Sequence, residues 1–176
     1  MEQSSKKLAT SYGVYLGIAL ILISVFIYAF DISMMTEWYL LVINIVLVLV
    51  LGTMAIKKAK GFSSSLFTFK DAFSTYFLTV LIGLFLATIF SLILFNVIDP
   101  QAAETLKELT MEKQAEMFAN FGMTEAQINE AMIEMEKQET FSLKSLGISF
   151  ASQLVLFSII GLIIALIFRE KDTTNA

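Results

Sequence analysis

Four stretches of this chain carry no charged residue, and each is long enough, or nearly so, to cross a lipid bilayer as a helix. Leu8 to Phe30 is 23 residues, Trp38 to Ile56 is 19, Ala72 to Ile98 is 27 and Ser145 to Phe168 is 24. A helix rises about 1.5 Å per residue, so roughly 20 apolar residues cross a hydrocarbon core of about 30 Å. Backbone N–H and C=O groups find no partner in lipid, which makes spans of this length helical. The rival architecture is a soluble bundle of buried helices. Such helices rarely hold 18 or more uncharged residues, and here that happens four times. The chain is 57% hydrophobic and only 16% charged, where soluble domains run at about a quarter charged. The expected fold class is therefore all-α: an integral membrane four-helix bundle.

The first run also invites comparison with a cleaved signal peptide, since Lys6 and Lys7 precede it. Its apolar part exceeds the usual limit of about 15 residues, and Tyr28-Ala29-Phe30 offers no small-x-small cleavage site. A retained anchor is expected. The division that follows is a tail over 1–11, spans over 12–30 and 38–56, a basic Phe-rich loop over 57–68, a third span over 69–98, an acidic helical hairpin over 99–140, a fourth span over 145–168 and a tail over 169–176.

Charge sets the orientation. Lys and Arg near span ends mark the cytoplasmic side. Lys6, Lys7, Lys57, Lys58, Lys60, Lys70, Arg169 and Lys171 fall on one side, eight in all, against Lys107, Lys113, Lys137 and Lys144 on the other. Both termini are expected in the cytoplasm and the hairpin outside. Tyr28, Trp38 and Tyr39 would sit at the outer headgroup level and Tyr12 and Tyr15 near the inner one.

The connections carry local signals. Phe62, Leu66, Phe69 and Phe73 recur at helical spacing, which raises the expectation of a short helix on the inner surface beside the lysines. Thr68 and Asp71 match a capping box that starts the third helix near Phe69. Asp99-Pro100 reads as an N-cap followed by proline at the first helical position, Gly122 as a stop, and Thr124 with Gln127 as a second capping box. Leu106, Leu109, Met117, Phe118 and Phe121 give the first hairpin helix an apolar side, as do Ile128, Met132 and Met135 in the second, which is expected to run to about Gln138.

Chemistry is sparse. There is no cysteine and no histidine, which removes disulfides, thiols and the commonest general base and metal ligand. No phosphate-binding, dinucleotide, zinc or serine-hydrolase motif occurs. An enzyme relying on carboxylates alone, such as Glu134 and Glu136, is the weakest reading, and no cofactor, metal or nucleic-acid partner is expected. Glu104, Glu108, Glu112 and Glu116 share one helix face; they read as a cation or basic-partner site or, more plainly, as a solvated stripe. Within the spans Asn44 and Gln153 stand out, with Asn96 near the third span's outer end. Amides in lipid normally serve as interhelical glue, and the sharper reading is a polar lining for a path. No acidic or basic residue lies inside any uncharged run, which argues against a proton-driven transporter. Gly13 and Gly17, Gly83 and Ala87, and Gly161 and Ala165 are small pairs four apart that suit close helix approach, inside one bundle or between copies.

Three places resemble a known family, the domain of unknown function numbered 4199 of bacterial membrane proteins: Phe67-Thr68-Phe69-Lys70-Asp71-Ala72-Phe73, Ile98-Asp99-Pro100, and Phe121-Gly122-Met123-Thr124-Glu125 with Ile128. The order of elements also matches over nearly the full chain. The resemblance implies a bacterial inner (plasma) membrane location and supplies no catalytic residue. From the residues themselves, the leading expectation is a non-enzymatic protein of the lipid bilayer. It would associate with a protein partner or with itself through the hairpin, where Phe118, Phe121 and Met132 are the interaction candidates. A small oligomeric channel or facilitator is the alternative, lined by Asn44 and Gln153 and assembled through Gly13 and Gly17.

Overall fold

The computed structural model describes residues 3–63 and 66–170. The part of the tail beyond residue 170, with Lys171, lies outside them, as do residues 1, 2, 64 and 65. Six α-helices follow in order: α1 Gln3–Phe30, α2 Trp38–Gly61, α3 Phe69–Ile93, α4 Pro100–Asn120, α5 Glu125–Glu136 and α6 Leu143–Phe168. A 3-10 turn, Ile32–Thr36, joins α1 to α2, and a π turn, Leu94–Ile98, finishes α3. Helices α1, α2, α3 with its π turn, and α6 are long and apolar enough to cross a membrane. This is a multi-pass helical membrane protein.

The helix ends follow local chemistry. The Thr68 hydroxyl accepts from the Asp71 backbone N–H while the Asp71 side chain caps Thr68, so the capping box forms. Asp99 caps α4, accepting from Ala102 N–H, with Pro100 at the helix start. Thr124 and Gln127 form the second box. Gly122 has φ 80°, the left-handed conformation that a helix stop favours in glycine. Ser142 caps α6, which begins at Leu143, two residues before the expected start of that span.

Two expectations about the terminal end of the bundle change. The segment over 1–11 is helical from Gln3, because Ser5 and Ala9 are buried against the bundle and the lysines beside them are good helix formers. The segment over 57–68 holds no surface helix among its described residues. Instead α2 runs on through Lys57, Lys58 and Lys60 to Gly61, since Ile56 and Ala59 on its inner face are fully buried. Phe67 turns inward, 1% exposed, and the chain there clasps the end of α6. Phe67 N–H donates to the Glu170 carboxylate and Glu170 N–H donates to the Phe67 carbonyl, both at 2.9 Å. Lys60 reaches the same carboxylate at 3.4 Å and the Phe168 carbonyl at 3.3 Å.

Helix α3 is central and packs against α1, α2 and α6, most extensively against α1. Helices α2 and α6 barely touch each other. Close approach is made at glycines. A Cβ on Gly13 or Gly17 would fall 2.7 Å from Ile82 or Leu86 of α3, and one on Gly83 would fall 2.5 Å from Leu16 of α1. Gly52 and Gly161 flank the two sides of the Tyr76 ring, where an added Cβ would lie 2.5 Å from ring atoms in each case. Gly13 and Gly17 thus serve the inside of the bundle.

Candidate functional site

Between the four spans lies a cavity of ≈ 430 Å³. Its polar lining is Ser24 of α1, Asn44 of α2, Thr88 and Ser91 of α3, and Ser149 and Gln153 of α6. At about 1.5 Å per residue from the hairpin end of each helix, Ser24, Asn44, Ser91 and Ser149 lie ~9–11 Å deep and Thr88 and Gln153 ~15 Å deep. Six uncharged polar groups from four separate helices therefore form one belt. Leu20, Val48, Leu84 and Phe157, all buried, are among its apolar lining. Among the described residues, no hydrogen bond joins any of the six polar side chains to another protein group. An amide or hydroxyl held away from water without a partner is costly, of order 1–3 kcal/mol, so the belt presents unused donors and acceptors.

The cavity has two openings. One is lateral, between α2 and α6, where Leu41 is 66% and Leu156 51% exposed and Gln153 and Ser149 are also exposed. The other is a hollow of ≈ 500 Å³ that shares Ser24, Leu41 and Asn44 with the cavity. It runs from there to Glu37 and Trp38 at the start of α2, and Leu106 of α4 also lines it. Toward the termini the way is closed: Leu16, Val48, Ile56, Tyr76 and Val80 are buried in one continuous core.

Asn44 and Gln153, singled out from sequence, are brought together here. Ser24, Thr88, Ser91 and Ser149 were not, because serine and threonine in a helix ordinarily satisfy themselves on the carbonyl four residues back and so look unremarkable. The signal is their similar depth, within about one helical turn. Asn96 is separate from the belt and does act as glue, donating to the Leu92 carbonyl at 3.0 Å and the Phe141 carbonyl at 2.9 Å.

The hairpin divides in two. The start of α4 is built into the bundle: Ala102 and Leu106 are buried with Leu94 and Phe95 in a second small core. Tyr28 donates to the Asp99 carboxylate at 2.7 Å, and Lys113 pairs with Glu37 at 2.9 Å. The Tyr28 hydroxyl, and behind it the Ala102 N–H, hold the Asp99 carboxyl below its ordinary value, and the Glu37 carboxylate raises the Lys113 ammonium above its own. The far part stands away from the spans: among the described residues, α5 packs on α4 alone. There Phe118 and Met132 are half-buried, and Phe121 is 79% exposed beside exposed Met117 and Ile133. Glu104, Glu108, Glu112 and Glu116 are all exposed, as a solvated stripe would be. Among the described residues no three carboxylates gather to hold a metal ion.

A model of the family described as "Protein of unknown function (DUF4199)" matches residues 11–170, most of the chain. No curated protein and no solved structure matches it. The three sequence motifs that resemble this family all fall at junctions: the Phe67 plug and Thr68 cap, the Asp99 cap, and the Gly122 turn with its Thr124 cap.

Proposed function

The chain belongs to the DUF4199 family, and from its geometry we propose that it is a non-enzymatic binding protein that takes an uncharged, hydrogen-bonding molecule into the bilayer, as a receptor or the first stage of a facilitator. One observation carries this reading: six uncharged polar side chains, unpartnered among the described residues, meet within about one helical turn of depth around an open cavity. Charged solutes are disfavoured, because no acidic or basic group lines the belt to compensate for their desolvation. The hairpin end is taken as external and the terminal end as cytoplasmic, in a bacterial inner membrane. The lysine asymmetry supports the orientation.

The test exploits the absence of cysteine. In proteoliposomes, Ser91→Cys and Ser149→Cys should react with methyl methanethiosulfonate, a small neutral reagent, about tenfold or more faster than Val80→Cys in the core. Equal, slow reaction at all three positions would sink the cavity reading. A charged impermeant reagent added to intact cells should reach Glu130→Cys and spare Lys7→Cys; the reverse pattern overturns the orientation.

The exposed Phe121, Met117 and Ile133 favour a second reading, in which the far part of the hairpin meets a protein partner or a second copy. Methionine and aromatic side chains are adaptable contact groups. If Phe121→Ser leaves the proteins recovered in mild detergent unchanged, this reading loses its support.

A further inference from the structure

The lateral opening narrows the chemistry of the ligand. Gln153 and Ser149 lie ~9–15 Å inside the hairpin end by helix rise, yet both line the cavity and are exposed there rather than covered by α2. Lipid tails offer a carboxamide nothing to bond with, so an exposed amide at that depth calls for a partner that itself resides in the membrane. The lining gives that partner's shape. It needs a compact head with hydroxyl or carbonyl groups for Asn44, Gln153 and the four hydroxyls, and no charge, because no ionic counterpart is present. Leu41 and Leu156 flank the gap between α2 and α6, through which a hydrocarbon tail can remain in the bilayer. The alternative entrance, past Glu37, has an ion pair to Lys113 of α4 at its edge, which is a poor gate for a tail-bearing molecule.

We propose that the slot between α2 and α6 admits a neutral amphiphile from the bilayer, with its hydroxyl- or carbonyl-bearing head held by the belt around Asn44 and Gln153. The proposal rests on the cavity reading above and adds the ligand class and its route.

The probe is a diacylglycerol carrying a diazirine next to its head and an alkyne on its tail, mixed into phosphatidylcholine vesicles that hold the full chain. Photolabelling should concentrate on the lining of the slot, including Leu41 and Leu156. The double variant Asn44→Leu/Gln153→Leu should label about tenfold less, the effect of losing about 1.4 kcal/mol of head-group binding. Leu156→Trp, which keeps both amides and narrows the slot, should also lower labelling. An analogue with a phosphocholine head should label the slot weakly. Three outcomes overturn the proposal: equal labelling by the phosphocholine analogue, which means ordinary bilayer lipid in a gap; labelling unchanged in both variants; or labelling spread evenly over the lipid-facing surface. In the last case, fast reaction of Ser91→Cys with the neutral thiol reagent would leave the cavity reading standing and remove only the lateral route.

Discussion

The two halves of the bundle are built from the same kind of helix and differ in what the sequence places between them. In the terminal half, glycines let helices meet backbone to side chain: Leu16 against Gly83, Tyr76 between Gly52 and Gly161, Phe67 sealing the end. Thr79 adds a buried hydrogen bond from α3 to the Ala9 carbonyl of α1 at 3.2 Å. In the hairpin half, α2 and α6 contribute Asn44, Ser149 and Gln153 to the lining of the cavity. Lipid supplies little hydrophobic drive between helices, so packing and close approach decide which half closes. The difference teaches that close packing gathers in the terminal half, while the uncharged polar groups around the cavity gather in the hairpin half.

Tyr76 is where that comparison breaks first. It is the largest of the fully buried side chains and bridges α2, α3 and α6. Tyr76→Ala should cost about 3–5 kcal/mol, as truncating a large buried aromatic does, read as a lowered midpoint of denaturant-induced unfolding in micelles. Tyr76→Phe should be neutral or stabilising, because among the described residues the Tyr76 hydroxyl has no hydrogen-bond partner and its removal relieves an unmet donor. A large loss with Phe would mean that this hydroxyl has a partner after all. Gly161→Ala comes next. Its methyl group would lie 2.5 Å from the Tyr76 ring, and overpacking of this kind costs about 1–3 kcal/mol. Gly147 is the control within α6: a Cβ there meets nothing within 4 Å, so Gly147→Ala should be tolerated.

Much of this was legible beforehand wherever the cause is local. The spans follow from uncharged length, and the caps at Thr68, Asp99 and Thr124 and the stop at Gly122 follow from chemistry confined to four or five residues. The partners of the glycines were not legible. Nothing near Gly52 or Gly161 in sequence names Tyr76, and α2, α3 and α6 must all be placed before the clamp exists. The same holds for the belt. Asn44 and Gln153 announce themselves by being amides in apolar runs, but the four hydroxyls beside them count only once four helices are set side by side around one cavity. The lysines after Ile56 misled in the opposite sense: charge ended the uncharged run and left the helix intact, because Lys is a good helix former and its long stem can stay along the helix while its ammonium reaches water.

The smallest expected effect tests whether the base of the hairpin belongs to the bundle or merely rests on it. Asp99 caps α4 and accepts from Tyr28 of α1, so one carboxylate ties two elements together at the hairpin end. Its carboxyl is held below the ordinary carboxylate value by the Tyr28 hydroxyl first and then by the Ala102 N–H. A group whose folded pKa is depressed contributes stability that is fully present above its unfolded pKa and is lost as pH falls through the folded one. The anchoring should therefore be constant around neutrality and weaken only in acid, below the usual range of a carboxyl group. Hydrogen exchange in vesicles should then quicken in the first turns of α4 and leave the core around Tyr76 protected. Asp99→Asn should shift that local exchange at neutral pH toward the acid pattern, since an amide can still cap the helix but accepts less strongly from Tyr28. If exchange at the start of α4 and in the terminal half rises together in acid, the two halves unfold as one unit, and the contrast drawn between them fails.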